Sequence, residues 1–126
     1  MFSIIQTQAA PAAIGPYAQG IVAGEMVFVS GQLGLDPRTG ELKGQDLEPQ
    51  ARQALANLEA VLKAADCKLN QVAAVDVFLT DMNDFAAFNA IYTEFFDSHK
   101  PARAVVAVKA LPKRAVIEIK CIAWRG

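Results

Sequence analysis

Six short β-rich runs are interrupted by only two stretches with helical periodicity, and this order leaves few architectures open. The β-rich runs span residues 2–7, 21–23, 26–33, 72–80, 103–109 and 115–124. One helical stretch covers 48–65, and the second follows Asp81. The order β-β-β-α-β-α-β-β is typical of an α+β fold in which both helices cover one face of a mixed sheet. Because no linker, repeat or low-complexity segment interrupts the chain, we expect residues 1–126 to form a single domain.

The two helix predictions rest on apolar residues that recur every three or four positions. In the first helix these are Leu55, Leu58, Leu62 and Ala65. In the second they are Phe85, Phe88, Tyr92 and Phe95, which we interpret as core rather than as a cofactor site. Pro49 suits a first helical turn. The acidic residues just upstream of the helices are candidate caps, namely Asp46, Asp81 and Asp84.

Side-chain alternation in the last strand predicts two different sheet faces. One face is entirely apolar and is expected to pack against the helices: Ile117, Ile119, Cys121 and Ala123. The opposite face mixes charge with apolar bulk: Val116, Glu118, Lys120, Ile122 and Trp124.

The preceding strand is assigned in the same way. We place Ala104, Val106 and Val108 on the helix side, and Arg103, Val105, Ala107 and Lys109 on the mixed side. A single subunit would then expose Val105, Ile122 and Trp124 together, and such a patch usually marks an interface. We therefore expect another subunit to cover this face, with Arg103 and Glu118 both pointing towards it.

Composition argues against several classes of function. A net charge of -1 with scattered basic residues offers no electrostatic footprint for nucleic acid or an anionic membrane. No apolar run approaches the roughly twenty residues of a membrane-spanning helix, and the N-terminus lacks the pattern of a secretory signal. We expect a cytoplasmic protein whose two cysteines, Cys67 and Cys121, are buried thiols. One histidine and two distant cysteines do not make a usual metal-ligand set, and no nucleotide-binding glycine motif is present.

Arg103 and Glu118 are the strongest candidates for chemistry. An arginine at a subunit contact needs an anion, and its planar fork suits a carboxylate. A salt bridge between subunits, with Glu118 itself as one candidate partner, explains the arginine equally well. Glu118 interrupts an apolar run, where a carboxylate is costly unless it is paired, and could act as a base or hold a water. Solvation on an exposed strand face is the alternative for this glutamate.

Two further features have a structural explanation beside the functional one. His99 follows a helix with no nucleophile placed to suggest a triad, so we interpret it as structural or solvated. Ser30 and Gly31 could bring a backbone N–H group to a ligand, but a bend in a strand explains the glycine as well.

Six stretches, in order and from end to end of the chain, carry a family resemblance. They are residues 10–17 (APAAIGPY), 29–32 (VSGQ), 50–62, 77–79 with 81–85 (DMNDF), 101–103 (PAR) and 117–119 (IEI). With these motifs the sequence resembles the YjgF/RidA family of reactive-intermediate deaminases.

The resemblance implies a chorismate-mutase-like fold, a homotrimer and a cleft between subunits. It also implies hydrolysis of enamines and imines, notably 2-aminoacrylate, to 2-keto acids and ammonia without cofactor or metal. The family's carboxylate-binding arginine falls on Arg103, and its water-positioning glutamate falls on Glu118. Its other site residues fall on Tyr17, Ser30, Gly31 and Asn89. Val105 stands where many members have cysteine and is expected to contact ligand through its backbone.

A second class of function stays open. The same arginine could bind 2-keto acids or amino acids without chemistry, as in a ligand-binding or regulatory protein. Substitution of Glu118 separates the two, because binding should largely persist while turnover is lost.

Overall fold

The computed structural model describes residues 2–126 and has the predicted order of elements. The strands are β1 (Phe2–Ile5), β2 (Gly20–Ala23), β3 (Met26–Gln32), β4 (Val72–Leu79), β5 (Ala102–Ala107) and β6 (Ile117–Trp124). The helices are α1 (Leu47–Ala64) and α2 (Phe85–Phe96). The α+β prediction is therefore confirmed, with boundaries that differ by a few residues.

The six strands form one mixed sheet in the order β1-β2-β3-β6-β4-β5. All neighbours are antiparallel except β4 and β5, which are parallel because α2 connects them. The ladder between β3 and β6 is irregular between Val29 and Gln32, as in a β-bulge. The C-terminal strand β6 thus lies inside the sheet, and β5 forms one of its edges.

The helix α1 packs against β3, β6 and α2 through the face that its periodicity predicted. Its fully buried residues include Ala54, Leu55, Leu58, Val61 and Leu62. The capping predictions were only partly right. Asp81 accepts a hydrogen bond from the backbone N–H of Asn83 in the short 3-10 turn before α2. Asp46 and Asp84 occupy N-cap positions but make no side-chain capping bond.

Two buried side-chain amides on α1 hydrogen-bond to backbone groups of segments next to β3 and β6. Asn57, with no exposed surface, donates to the carbonyl oxygens of Leu33 at 3.0 Å and Leu35 at 2.9 Å, just beyond β3. Gln50 accepts from the backbone N–H of Val116 and donates to the carbonyl oxygen of Gly44. Buried backbone groups need such partners, so these amides hold irregular segments against the helix.

The helix-facing side of β6 is as predicted. Ile117, Ile119 and Ala123 have no exposed surface, and Cys121 has 3%. Both cysteines are free and buried, and burial raises the pKa of the Cys121 thiol to about 12.

The predicted orientation of β5 was wrong. Arg103 lies opposite Val75, which in turn lies opposite Cys121, so all three side chains share the helix-facing side. Val105 pairs with the buried Val77 and packs against the core from the same side. Alanine and valine occur on both faces of β5, so its sequence offers no contrast between faces, and only pairing with β4 sets the orientation.

The second face of the sheet carries no helix and is largely apolar. Large side chains from strands across its width are exposed on it, namely Phe2, Ile4, Phe28, Val106 and Trp124. Val106 takes the place that the sequence analysis assigned to Val105. So many large exposed apolar side chains on one sheet face are unusual for a single chain, and we call this face the open face.

We predict that Asn57→Ala lowers the free energy of unfolding by about 1–3 kcal/mol, because two carbonyl groups lose their donor in a buried place. Asn70→Ala, at an exposed position, is the matched control and should change it by less than about 0.5 kcal/mol. Denaturant titration measures both. Equal effects for the two variants would contradict the role assigned to Asn57.

Candidate active site

Glu118 is a half-buried carboxylate on the open face. It lies on β6, opposite Phe78 of β4. Burial raises the pKa of this carboxyl above its usual value, and the positive charge of Lys120 opposes the shift only in part. A glutamate with a raised pKa is a stronger base once ionised, so it is suited to accept a proton from water.

Gly31 lets the Glu118 carboxylate lie against β3. A Cβ atom at position 31 would overlap with Oε2 of Glu118, closer than real Cβ contacts allow. The absence of a side chain at Gly31 therefore lets the Glu118 carboxylate approach the β3 backbone closely. The backbone φ of Gly31 is not in the left-handed region.

Ser30 joins this part of β3 to the loop that carries Tyr17. Its hydroxyl donates to the carbonyl oxygen of Ala18, and its backbone N–H donates to the carbonyl oxygen of Gln19 at 3.0 Å. Tyr17 immediately precedes Ala18 and its side chain is exposed. We call Tyr17, Ser30, Gly31 and Glu118 the glutamate half-site.

The loop itself is held by a buried glutamine. The Gln19 side chain accepts from the backbone N–H of Thr7 at 2.7 Å and donates to the carbonyl oxygens of Thr7 and Pro11. Backbone groups of Thr7 and Pro11 that belong to no strand thereby gain hydrogen-bonding partners, and the loop is held beside β3. This glutamine was not among the predicted residues, and no sequence signal distinguishes it from a surface residue.

Arg103 lies on the other side of the sheet, at the edge strand β5, with its side chain towards α2. Nη1 donates to Oδ1 of Asn89 at 2.7 Å, and the guanidinium carbon lies 4.7 Å from the ring centroid of Tyr92. Among residues 2–126 no carboxylate lies within ion-pairing distance of Arg103. We call Arg103 with Asn89 the arginine half-site.

One chain does not bring the two half-sites together. Arg103 and Glu118 lie two strands apart, which is about 10 Å across the sheet, and their side chains point from opposite faces. The prediction that Arg103 and Glu118 share one face of the sheet was wrong. Pairing with β4 turns Arg103, like the rest of β5, to the face opposite the predicted one. Val105 likewise faces the core rather than Glu118, although its backbone lies on the free edge of the sheet.

His99 has the structural role that was predicted. Its Nε2 lies 2.7 Å from the carbonyl oxygen of Val72, and its ring packs near Phe96. Residues 2–126 contain no group of three or more histidine, cysteine or acidic side chains that could hold a metal ion. Nor does any helix in this range have the length and apolar character needed to cross a membrane.

Comparison with known proteins assigns the family. A model of the endoribonuclease L-PSP family matches residues 7–125. The chain is 46% identical to a 2-iminobutanoate/2-iminopropanoate deaminase of Capra hircus over 123 residues, covering 98% of this chain and 90% of the relative. The chain belongs to this family, the YjgF/RidA family.

Other YjgF/RidA relatives agree over the full length. A RutC family protein of Pyrococcus horikoshii is 49% identical over 125 residues, which is 99% of either chain. The crystal structure of Escherichia coli TdcF with bound serine superposes with a TM-score of 0.94 at 46% identity, covering 98% of this chain and 99% of TdcF. The family fold expected from the motifs is therefore confirmed.

We predict that Gly31→Ala lowers the pKa of Glu118 towards its usual value. The added methyl group displaces the flexible end of the glutamate towards solvent and reduces the desolvation that raises the pKa. The free energy of unfolding should change by less than about 1 kcal/mol, because a side-chain end yields more easily than backbone. Carboxyl NMR titration measures the pKa, and an unchanged value for Glu118 would contradict this account of Gly31.

Proposed function

We propose that the chain hydrolyses reactive enamines and imines, such as 2-aminoacrylate, to 2-keto acids and ammonia at a site made from two copies. The unpaired, well-held guanidinium of Arg103 carries the proposal, since it fits the carboxylate of a small amino-acid-derived substrate. The deaminase relative of Capra hircus and the serine bound to TdcF support the same substrate class.

In this mechanism Arg103 supplies orientation. A three-carbon or four-carbon substrate has few other groups to hold, so a bidentate contact with its carboxylate determines how the reacting carbon is presented. Asn89 occupies one N–H of the fork and leaves the others available.

Glu118 supplies proton transfer. The enamine becomes an imine as its terminal carbon gains a proton and its nitrogen loses one, and the imine carbon is electrophilic. Glu118 accepts a proton from water as the oxygen bonds to that carbon and passes the proton to the nitrogen. The hydroxyl of this adduct then gives up its proton to form the keto group, while the nitrogen takes up a proton and leaves as ammonia. We propose that Tyr17 and Ser30 shape the pocket around this carboxylate or relay protons. Because burial raises the pKa of Glu118, activity should fall as the pH decreases through that raised value.

The proposal requires self-association, and we propose the homotrimer that is expected from the family. Two observations support self-association, whereas the number of three copies rests on the family resemblance alone. The open face carries exposed apolar side chains that a second copy could cover. The two half-sites also lie on opposite faces of one sheet, so a complete site needs Arg103 of one copy and Glu118 of another.

We predict that Arg103→Ala lowers kcat/KM for 2-aminoacrylate at least roughly a hundredfold, through the loss of charge-assisted hydrogen bonds. Glu118→Gln should lower kcat by about two to four powers of ten. Ammonia and keto-acid release from 2-aminoacrylate generated in situ measures both. Arg52→Ala and Glu48→Gln, an exposed pair on α1, are the matched controls.

These variants also separate the alternatives. A ligand-binding protein without chemistry would show no turnover in the native chain, while Arg103→Ala would still weaken binding of a 2-keto acid. A salt bridge between subunits would make Arg103→Ala dissociate the oligomer without a separate loss of ligand affinity. Native-like rates in Arg103→Ala would exclude the proposed site altogether.

A mixing experiment tests whether the site is shared between copies. Arg103→Ala and Glu118→Gln chains are each expected to be inactive alone. Co-expressed at equal levels, they assemble at random into closed rings. One half of the arginines and one half of the glutamates are then native, so about a quarter of the sites are complete.

The expected activity of the mixture is therefore about a quarter of the native value at equal protein concentration. Mixing either variant with itself, after the same purification, is the control. A mixture as inactive as its components would show that both residues must belong to one chain.

A further inference from the structure

One face of α2 surrounds the guanidinium of Arg103. Asn89 accepts its hydrogen bond, and the ring centroids of Phe85, Phe88 and Tyr92 lie 5.8, 6.0 and 4.7 Å from its central carbon. These residues follow the spacing i, i+3, i+4, i+7 and so share one helical face. We call Phe85, Phe88, Asn89 and Tyr92 the α2 platform.

We propose that Tyr92 and Asn89 are positioning residues, which hold the guanidinium so that its remaining N–H groups face a ligand carboxylate. The identity of that ligand rests on the proposed function. The sequence analysis interpreted Tyr92 as core, and the family resemblance placed Asn89 at the substrate. Here the side-chain oxygen Oδ1 of Asn89 already accepts from Arg103, and we therefore assign the effect of Asn89 on a substrate to the positioning of the arginine.

The need for a platform follows from the exposure of Arg103. It lies on an edge strand with an exposed side chain, and an exposed arginine samples many rotamers. If the Arg103 side chain were ordered only on binding, its loss of conformational entropy would reduce the affinity for the ligand. A side chain that is held in place before binding avoids that loss. Asn89 sets the angle of the guanidinium within its plane, and the Tyr92 ring supports its face.

The platform also replaces the counterion that a held arginine usually has. A carboxylate in the place of Asn89 would fix the same geometry but would compete with an anionic ligand for the charge. An amide oxygen and aromatic rings hold the cation without neutralising it. The positive charge therefore remains available for the ligand.

Arg103 contacts the ring of Tyr92 and not its hydroxyl group. The hydroxyl is buried and has no hydrogen-bonding partner among the described residues, and burial raises its pKa, so it stays protonated. The contact with Arg103 is made by the ring face. The ring should therefore be sufficient for positioning.

The test compares substitutions in the native chain and in Arg103→Lys, which keeps a charge but has no planar fork. Tyr92→Leu and Asn89→Ala should each raise KM roughly tenfold with a smaller change in kcat. Tyr92→Phe, which keeps the ring, should restore most of the affinity lost in Tyr92→Leu. In the Arg103→Lys background, Tyr92→Leu and Asn89→Ala should have much smaller effects.

Phe95→Leu is the control for general damage to α2, because Phe95 packs against Phe96 and not against the guanidinium. It should lower stability without raising KM. Asn89 is only half-buried, so Asn89→Ala keeps the test informative if Tyr92→Leu does not fold. Equal effects in the native and Arg103→Lys backgrounds, or failure of Tyr92→Phe to restore affinity, would overturn the proposal.

Calorimetric titration with 2-oxobutanoate separates this proposal from the proposed function. If the native chain binds the keto acid but has no deaminase activity, an Arg103-dependent loss of affinity in Asn89→Ala still supports the platform. If deaminase activity is present and Asn89→Ala binds the keto acid as the native chain does, the platform is wrong and the deaminase function stands. A native chain that binds no carboxylate overturns both.

Discussion

The pairing of β6 with both β3 and β4 is the interaction on which the rest of the structure depends. Its buried residues, from Ile117 to Ala123, complete the core beneath α1. Its outward residue Glu118 is the carboxylate of the glutamate half-site, and its pairing with β3 brings Gly31 beside that carboxylate. Through β4 it also sets the place of β5 and hence of Arg103.

The two half-sites have complementary electrostatics. Glu118 is desolvated enough to raise its pKa, whereas Arg103 has no carboxylate within ion-pairing distance among residues 2–126. Placed together by two copies, they would offer a cation for the substrate carboxylate and a base for water. Their separation on opposite faces also keeps them from forming a salt bridge within one chain, which would occupy both groups.

The same features distinguish the proposed chemistry from the ribonuclease activity in the family's descriptive name. Cleavage of RNA calls for cationic surface to hold phosphates, and this chain has a net charge of -1. Its only histidine is hydrogen-bonded to the carbonyl oxygen of Val72 in a structural position. A small carboxylate matches the isolated guanidinium of Arg103 better than a polyanion does.

The sequence by itself determined the element order, the buried faces of α1 and β6 and, through its motifs, the family with Arg103 and Glu118 as candidates. Periodicity was sufficient for the buried faces of α1 and β6 because both sequences contrast apolar with polar positions. The orientation of β5 had no such contrast, since alanine and valine occupy both of its faces. Only its parallel register with β4 decided that Arg103 faces α2. Tyr92 is a core residue, as predicted, but only the tertiary structure showed that its ring also lies against Arg103, because that contact joins segments distant in the chain.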